Sequence, residues 1–448
     1  MKRSLTFNTA KTFICLSIIF VLCVSFVGTS LAQSDAEKQI TEFDVNGLKV
    51  IVKRRPGTPT VSAGLFIRGG SRMLTPQTAG IESFALNVAT EGGKLFPRDV
   101  LRREISRTAT QLGAGANPDF SVISFGSTKQ NFDTAWKMFT DVAMNPAFAP
   151  DDVERIRANI LNQLRSKNDT PDADLSDQVE RVLYAGHPYA NDPDGTIENV
   201  TRFKAADLAA WHKQMMQTSR LLLVLVGDVD PANVQKLVAS SFGTLPRGDY
   251  KDVAVPALDF SKGTVDVVSR PYQTTYVQGR FAAPRLSDPD YYAMRVAMSI
   301  LQTQVYDEVR TKRNLSYAPD AELGSSAANS AYIYVTSVKP TESVKVMLDS
   351  IKELRENQVN PEVIRQYGNF FLTTYYLGQE TSAAQAAELA RYELVGGGWR
   401  NSLVFIDRVR QVTPEQVQAA AQKYMKNIRF AVVGSAADVD KSVFLRSF

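Results

Sequence analysis

His187 and His212 are the only imidazoles in 448 residues, and Cys15 and Cys23 the only thiols. Zinc in proteins is held by sets of His, Cys and carboxylate ligands, and a thiol nucleophile needs an accessible cysteine. This scarcity excludes much metal and thiol chemistry at once. His187 stands in a Gly-His-Pro-Tyr turn and His212 at the end of an amphipathic Ala-Trp-His-Lys segment; structural roles are expected of both. No Gly-x-Ser-x-Gly elbow points to a serine hydrolase. Gly396-Gly-Gly398 lacks the Lys-Ser/Thr of a phosphate loop and reads as a turn between helices.

Composition bounds what else the chain does. It carries 44% apolar and 22% charged residues, the make-up of a folded globular protein. There are 51 Lys and Arg against 47 Asp and Glu; Lys2, Arg3 and Lys11 fall in the first 32 positions, which hold no acid, so the remainder is near neutral at +1. A near-neutral chain has no bulk electrostatic attraction to nucleic acid or anionic lipid. Residues 1–32 read as a secretory signal peptide: a basic start, the apolar run Thr12–Val27, then small Ser30 and Ala32 before a cleavage point after Ala32. As an uncleaved helix that run spans about 24 Å, short of a ~30 Å hydrocarbon core. Both cysteines lie inside it. The mature chain is expected to be periplasmic or secreted, off the membrane and without any disulfide.

The elements come in two similar sets. Ala209–Leu245 reads as helix, strand, turn, helix, with the strand Arg220-Leu-Leu-Leu-Val-Leu-Val-Gly227; the C-terminal segment repeats the pattern around Arg429-Phe-Ala-Val-Val-Gly434. The strand-ending glycines Gly227 and Gly434 are 207 residues apart, too long a period for a solenoid and right for a duplicated domain. Lys49–Lys53 and Val61–Arg68 predict strands opening the first half, Thr264–Val268 and Thr275–Phe281 strands opening the second. Asp151–Ser166 and Ser343–Asn357 predict helices. Mixed elements without regular βαβ alternation give an α+β class. The expected organisation is an N-terminal domain 33–245, a linker 246–262 and a C-terminal domain 263–448.

Duplicated halves of this size, with Gly64, Gly69-Gly70-Ser71 and Gly80 in that order, resemble the pitrilysin/insulinase (M16) metallopeptidase family. The two-domain branch typified by mitochondrial processing peptidase is the nearest in pattern. Leu112-Gly-Ala-Gly-Ala-Asn-Pro-Asp-Phe120, Gly186-His-Pro-Tyr189 and Val309-Arg-Thr-Lys-Arg-Asn-Leu-Ser-Tyr317 also fit it, and the likeness covers roughly 39–448. It implies two homologous LuxS/MPP-like metallohydrolase domains, each a mostly antiparallel sheet packed with helices. Active members carry His-x-x-Glu-His on a helix just after a Gly, two zinc ligands flanking a general base, and a second Glu about 75 residues on. Anchored on Gly80, the matching positions here are Ser83, Leu86 and Asn87, with Asn162 or Gln163 downstream. No glutamate occurs between Glu154 and Glu180, and no histidine before His187. A hydroxyl, an aliphatic stub and an amide do not replace that chemistry. Glu82 and Glu91, the only acids nearby, are assigned to solvent-exposed helix positions. Ile81, Phe84, Ala85 and Val88 keep an apolar face at i, i+3, i+4, i+7.

The resemblance also implies a role for Arg310 and Tyr317. In active members an Arg and a Tyr at this spacing reach from the C-terminal domain to the substrate at the zinc site, and in two-chain assemblies they come from the chain without zinc. The plainer alternative makes Arg310 a surface helix residue and Tyr317 a strand residue filling the core. Active relatives have a Gly-rich turn where this chain has Ile300–Val305, and the long glycine-rich loop of the mitochondrial non-catalytic subunit is reduced here to Gly324-Ser-Ser-Ala-Ala-Asn329. The expectation is a chain with no metal of its own. It would act as the non-catalytic subunit of a periplasmic or secreted zinc peptidase, paired with a homologous zinc-bearing chain around an unfolded peptide. Ala116–Phe120 is expected to line the chamber. The alternative is a stand-alone peptide-binding or assembly protein.

Overall fold

Leu221-Leu-Leu-Val-Leu-Val-Gly227 is buried at every position, as a strand covered on both faces must be. It is the sixth strand of the computed structural model, which describes residues 35–447; the expected signal segment and its cleavage point lie outside them. The first sheet contains β1 (Ile40–Val45), β2 (Leu48–Arg54), β3 (Thr60–Arg68), β4 (Gln111–Ala116), β5 (Phe120–Thr128) and β6 (Leu221–Gly227), in the order β1-β2-β6-β3-β5-β4. The second contains β7 (Thr264–Ser269), β8 (Thr275–Ala282), β9 (Asp320–Leu323), β10 (Ser330–Ser337) and β11 (Arg429–Gly434), in the order β7-β11-β8-β10-β9. Apart from β1, the two orders match strand for strand. Only β2–β6 and β7–β11 run parallel. The repeat legible in the sequence is therefore a repeat of topology. Gly227 and Gly434 hold equivalent places for one steric reason: a Cβ there would sit 2.9 Å from Val61 Cα and 2.7 Å from Thr275 Cα, respectively.

Among the helices that position the site or cover the sheets are α1 (Ile81–Ala89), α2 (Pro150–Arg165), α3 (Pro171–Leu183), α4 (Asp290–Val305), α5 (Pro340–Glu356), α6 (Pro361–Gly378) and α7 (Ser382–Val395). The predicted strands and the two predicted long helices are all present, with ends shifted by a few residues at most. One face of each sheet carries helices of its own half. Trp136, Phe139 and Val142 pack on Val50, Leu65 and Leu223 in the first; Met294 and Leu301 of α4 and Met347 and Ile351 of α5 pack on Val277 and Phe281 in the second.

The opposite faces are covered by exchange. Ala386, Leu389 and Ala390 of α7, with Trp399 beyond it, bury Ile51, Phe66, Leu222 and Val224 of the first sheet. Leu175 and Val179 of α3 bury Ala431 and Val433 of the second. Polar contacts fix both helices. Lys49 pairs with Glu393 at 2.7 Å and Arg55 Nη1 donates to Ser382 Oγ at 3.1 Å; Arg270 pairs with Asp174 at 2.7 Å and Tyr334 donates to Asp172. The residues from Ile40 onward form one compact unit.

Candidate functional site

Helix α1 carries the positions where the family's chemistry would sit. Gly80 caps it in the left-handed region (φ 90°), where an added Cβ would lie 2.7 Å from Gly195 Cα. Ile81, Phe84, Ala85 and Val88 pack against Val153, Ile156 and Ile160 of α2, the apolar face read from the sequence. Leu86, at the base position, is fully buried in the other cluster with Leu65, Ile123 and Phe139. Ser83 is buried, and Asn87 Nδ2 donates to the Ser83 carbonyl at 2.8 Å and its Oγ at 3.4 Å. The two residues expected at the ligand positions are thus bonded to one another within the helix. Asn162 and Gln163 are exposed on α2. An amide N–H turned onto its own helix, a hydroxyl and an aliphatic side chain do not fit zinc. Among the described residues no group of three or more His, Cys, Asp or Glu side chains is placed to hold a metal ion.

The two neighbouring acids are not at exposed positions. Glu82 is 1% exposed: Ser121 Oγ donates to its Oε1, and Arg220 Nη2 lies 3.6 Å from its Oε2. Burial raises its pKa against the opposing pull of Arg220 and the Ser121 hydrogen bond. Glu91 is 8% exposed and accepts from Arg102 and Arg155, each at 2.7 Å. Burial works to raise its pKa, but the two guanidinium groups overcome this and hold it below the usual carboxylate range. Both acids are buried because arginines elsewhere in the chain supply what water would. The histidines are structural in placement. His187 Nδ1 accepts from Tyr189 N at 3.1 Å, and His212 Nε2 bonds the Ala143 carbonyl at 3.0 Å in a buried site.

Arg310 lies in a different setting. Helix α4 passes without a glycine turn into a π-helical turn, Tyr306–Thr311, marked by the Lys312 N to Asp307 O bond at 2.8 Å. Such turns often occur at functional sites. The guanidinium carbon of Arg310 lies 4.1 Å from the Tyr317 ring centroid and 4.9 Å from that of Tyr306. Tyr317 is 79% exposed, so it fills no core, and it lies in the segment before β9 rather than in a strand. Among the described residues Arg310 has no carboxylate partner. Both distances are within cation–π range, and a guanidinium held this way can still donate its N–H groups to a carbonyl or carboxylate. Sequence reasoning paired Arg310 with Tyr317 but missed Tyr306, although the i, i+4 spacing to Arg310 was there to read.

Three of the segments that carry the resemblance meet at a seal between the halves. Tyr189 donates to Asp119 Oδ1 while Asp119 Oδ2 accepts from Ala327 N at 3.0 Å and Tyr189 Oη accepts from Ala328 N at 3.0 Å. Asn117–Asp119 is therefore not a free chamber strand. It is a turn bonded to Ser71 N and Arg72 N on one side and to the 324–329 loop on the other. β4 itself is an edge strand, pairing with β5 alone, as β1 at the other edge pairs with β2 alone.

Comparison with known proteins agrees with this architecture. Residues 49–196 match the family model described as insulinase (peptidase family M16), and 202–368 the one described as peptidase M16 inactive domain. A protein named as an uncharacterized zinc protease of Mycobacterium leprae is 23% identical over 402 residues, 87% of this chain and 90% of the relative. The crystal structure of a peptidase M16 inactive domain from Pseudomonas fluorescens superposes with TM-score 0.80 at 21% identity, covering 89% of this chain and 98% of that one. The first half of the periplasmic protease PqqL from Escherichia coli does so with TM-score 0.74 at 14% identity, over 91% and 95%; against whole PqqL the match covers 48% of that chain. With both family models falling in order on its two halves, the chain belongs to peptidase family M16.

Proposed function

We propose that this chain is the non-catalytic member of a two-chain M16 zinc peptidase, delivered outside the cytoplasm by a signal removed after Ala32. Its partner is a homologous chain bearing His-x-x-Glu-His and the zinc. Together they enclose an unfolded peptide, with 33–245 and 263–448 as this chain's two domains and 246–262 as their linker. Arg310, held between Tyr306 and Tyr317, donates to the peptide carbonyl as it takes up negative charge in the partner's site; Tyr317 supports the same contact. The observation carrying this reading is a ring-gripped guanidinium without a carboxylate partner, kept in a chain whose α1 has lost every zinc donor. PqqL, in which a body of this size makes up about half of one protease, supports pairing.

The test is coexpression with the zinc-bearing chain. The mature chain alone should hold no stoichiometric zinc and cleave nothing, the pair should bind zinc and cleave peptide, and Arg310→Ala in the pair should lower kcat about 10²-fold. Undiminished turnover in that variant would remove Arg310 from the mechanism. The unpaired edge of β4 favours a second reading, a stand-alone protein that holds extended polypeptide without cutting it. Pull-down of the mature chain from its native extract separates the two: a zinc-bearing homologue among the captured proteins supports the first, its absence the second.

A further inference from the structure

We infer that β4 and α7 form a pocket selecting one bulky uncharged side chain in a peptide laid along the β4 edge. This rests on the peptide-holding reading and names what that edge accepts. Strand registers place Gly64, Ser124 and Gly113 in one row across β3, β5 and β4, with Ser62, Gly126 and Gln111 in the next. These rows are the floor of a cavity of about 450 Å³, whose far wall is Ala383, Ala386 and Ala387 of α7 and whose end is Phe66.

Floor and far wall are made largely of small residues. Glycine inside a strand costs about 0.5–1 kcal/mol relative to alanine, and often marks close approach of a ligand or another backbone. Gly113 has no steric need to be glycine: a Cβ there would meet nothing within 4 Å. The row instead runs open to the sheet edge. A strand added to β4 places the residue opposite Gly113 about 5 Å from it on the same face, with Ser124 one strand spacing further in. Its neighbours two positions along continue the same face.

The chemistry of the lining sets the choice. All fourteen lining residues are uncharged. A Lys, Arg, Asp or Glu entering would lose hydration with no counter-charge to meet it. A Phe, Tyr or Leu would bury apolar area against Phe66, Val122 and the three alanines. The peptide class is therefore one with a bulky uncharged residue at a single position and no matching demand at positions of the opposite pleat.

The experiment uses the mature full chain and fluorescein-labelled ten-residue Ser/Thr-rich peptides with one central guest residue, read by anisotropy. Phe and Leu guests should bind at least tenfold more tightly than Lys and Glu guests. Gly113→Leu and Ala387→Trp, both at positions with room for a side chain, should abolish that preference. Circular dichroism of each variant checks its fold. Equal binding of all guests, with the host peptide bound, would overturn the pocket while leaving the peptide-holding reading intact. No binding of any peptide would overturn both.

Discussion

His212 shows what a single buried side chain contributes. Burial lowers its pKa to about 4, against the opposing effect of its bond to the Ala143 carbonyl; free histidine titrates near 6.5. Between those values the unfolded chain takes up a proton that the folded chain refuses. The stability tied to this residue is thus complete above pH ~6.5 and is lost as pH falls toward 4. From pH 7 to pH 5 about 1.5 pH units lie in that window, or ~2 kcal/mol. Urea unfolding at the two pH values should show that loss in the native chain and a smaller one in His212→Gln. Glu82 and Arg220 behave as a coupled pair. Arg220→Met strands a buried carboxylate and should cost about 3–5 kcal/mol at pH 7. Glu82→Gln should restore most of the loss in that background, measured as the interaction term of the double-mutant cycle. Neither acid's burial was legible from the sequence: the partner of Glu82 is 138 residues away, and local periodicity carries no record of it.

At the scale of elements, periodicity was a good guide and coverage was not. Strand β8, buried at alternate positions, and helices α2 and α5 follow from alternation and 3.6-residue spacing, while β3, buried almost throughout, follows from its continuous apolar run. The start of α1 was legible because Gly80 marks it. The burial of α1 on both sides was not, because Leu86 faces a cluster drawn from residues up to Phe242. Nor was it legible which sheet α3 and α7 would cover, since each lies against strands of the other half. Trp399 tests that exchange. It is 1% exposed and its indole N–H donates to Glu42 Oε2 on β1 at 2.5 Å. Trp399→Ala should cost about 3–5 kcal/mol by loss of packed volume. Because Trp399 belongs to one half by sequence and packs on the other, denaturation followed by probes in either half should shift together.

For the molecule as a whole, the exchanged helices and the Asp119–Tyr189 seal make the halves one cooperative body. Fragments 33–245 and 263–448 expressed separately should each be insoluble or bind a hydrophobic dye. The first would expose Ile51, Leu222 and Val224 without α7. Mixed during refolding, the two should form a soluble complex eluting as one species in size exclusion. Asp119→Asn removes the charge that accepts from Tyr189 and Ala327. It should raise hydrogen–deuterium exchange at Ala327 and Ala328 more than elsewhere, which mass spectrometry reads directly.

The exchange also constrains ancestry. If the two halves descend from one gene, its product could cover the second face of its sheet in the present manner only by lending a helix to another copy and receiving one back. The single-copy ancestor would then have been an obligate pair before duplication joined it into one polypeptide, and fusion turned a loan between molecules into a bond within one.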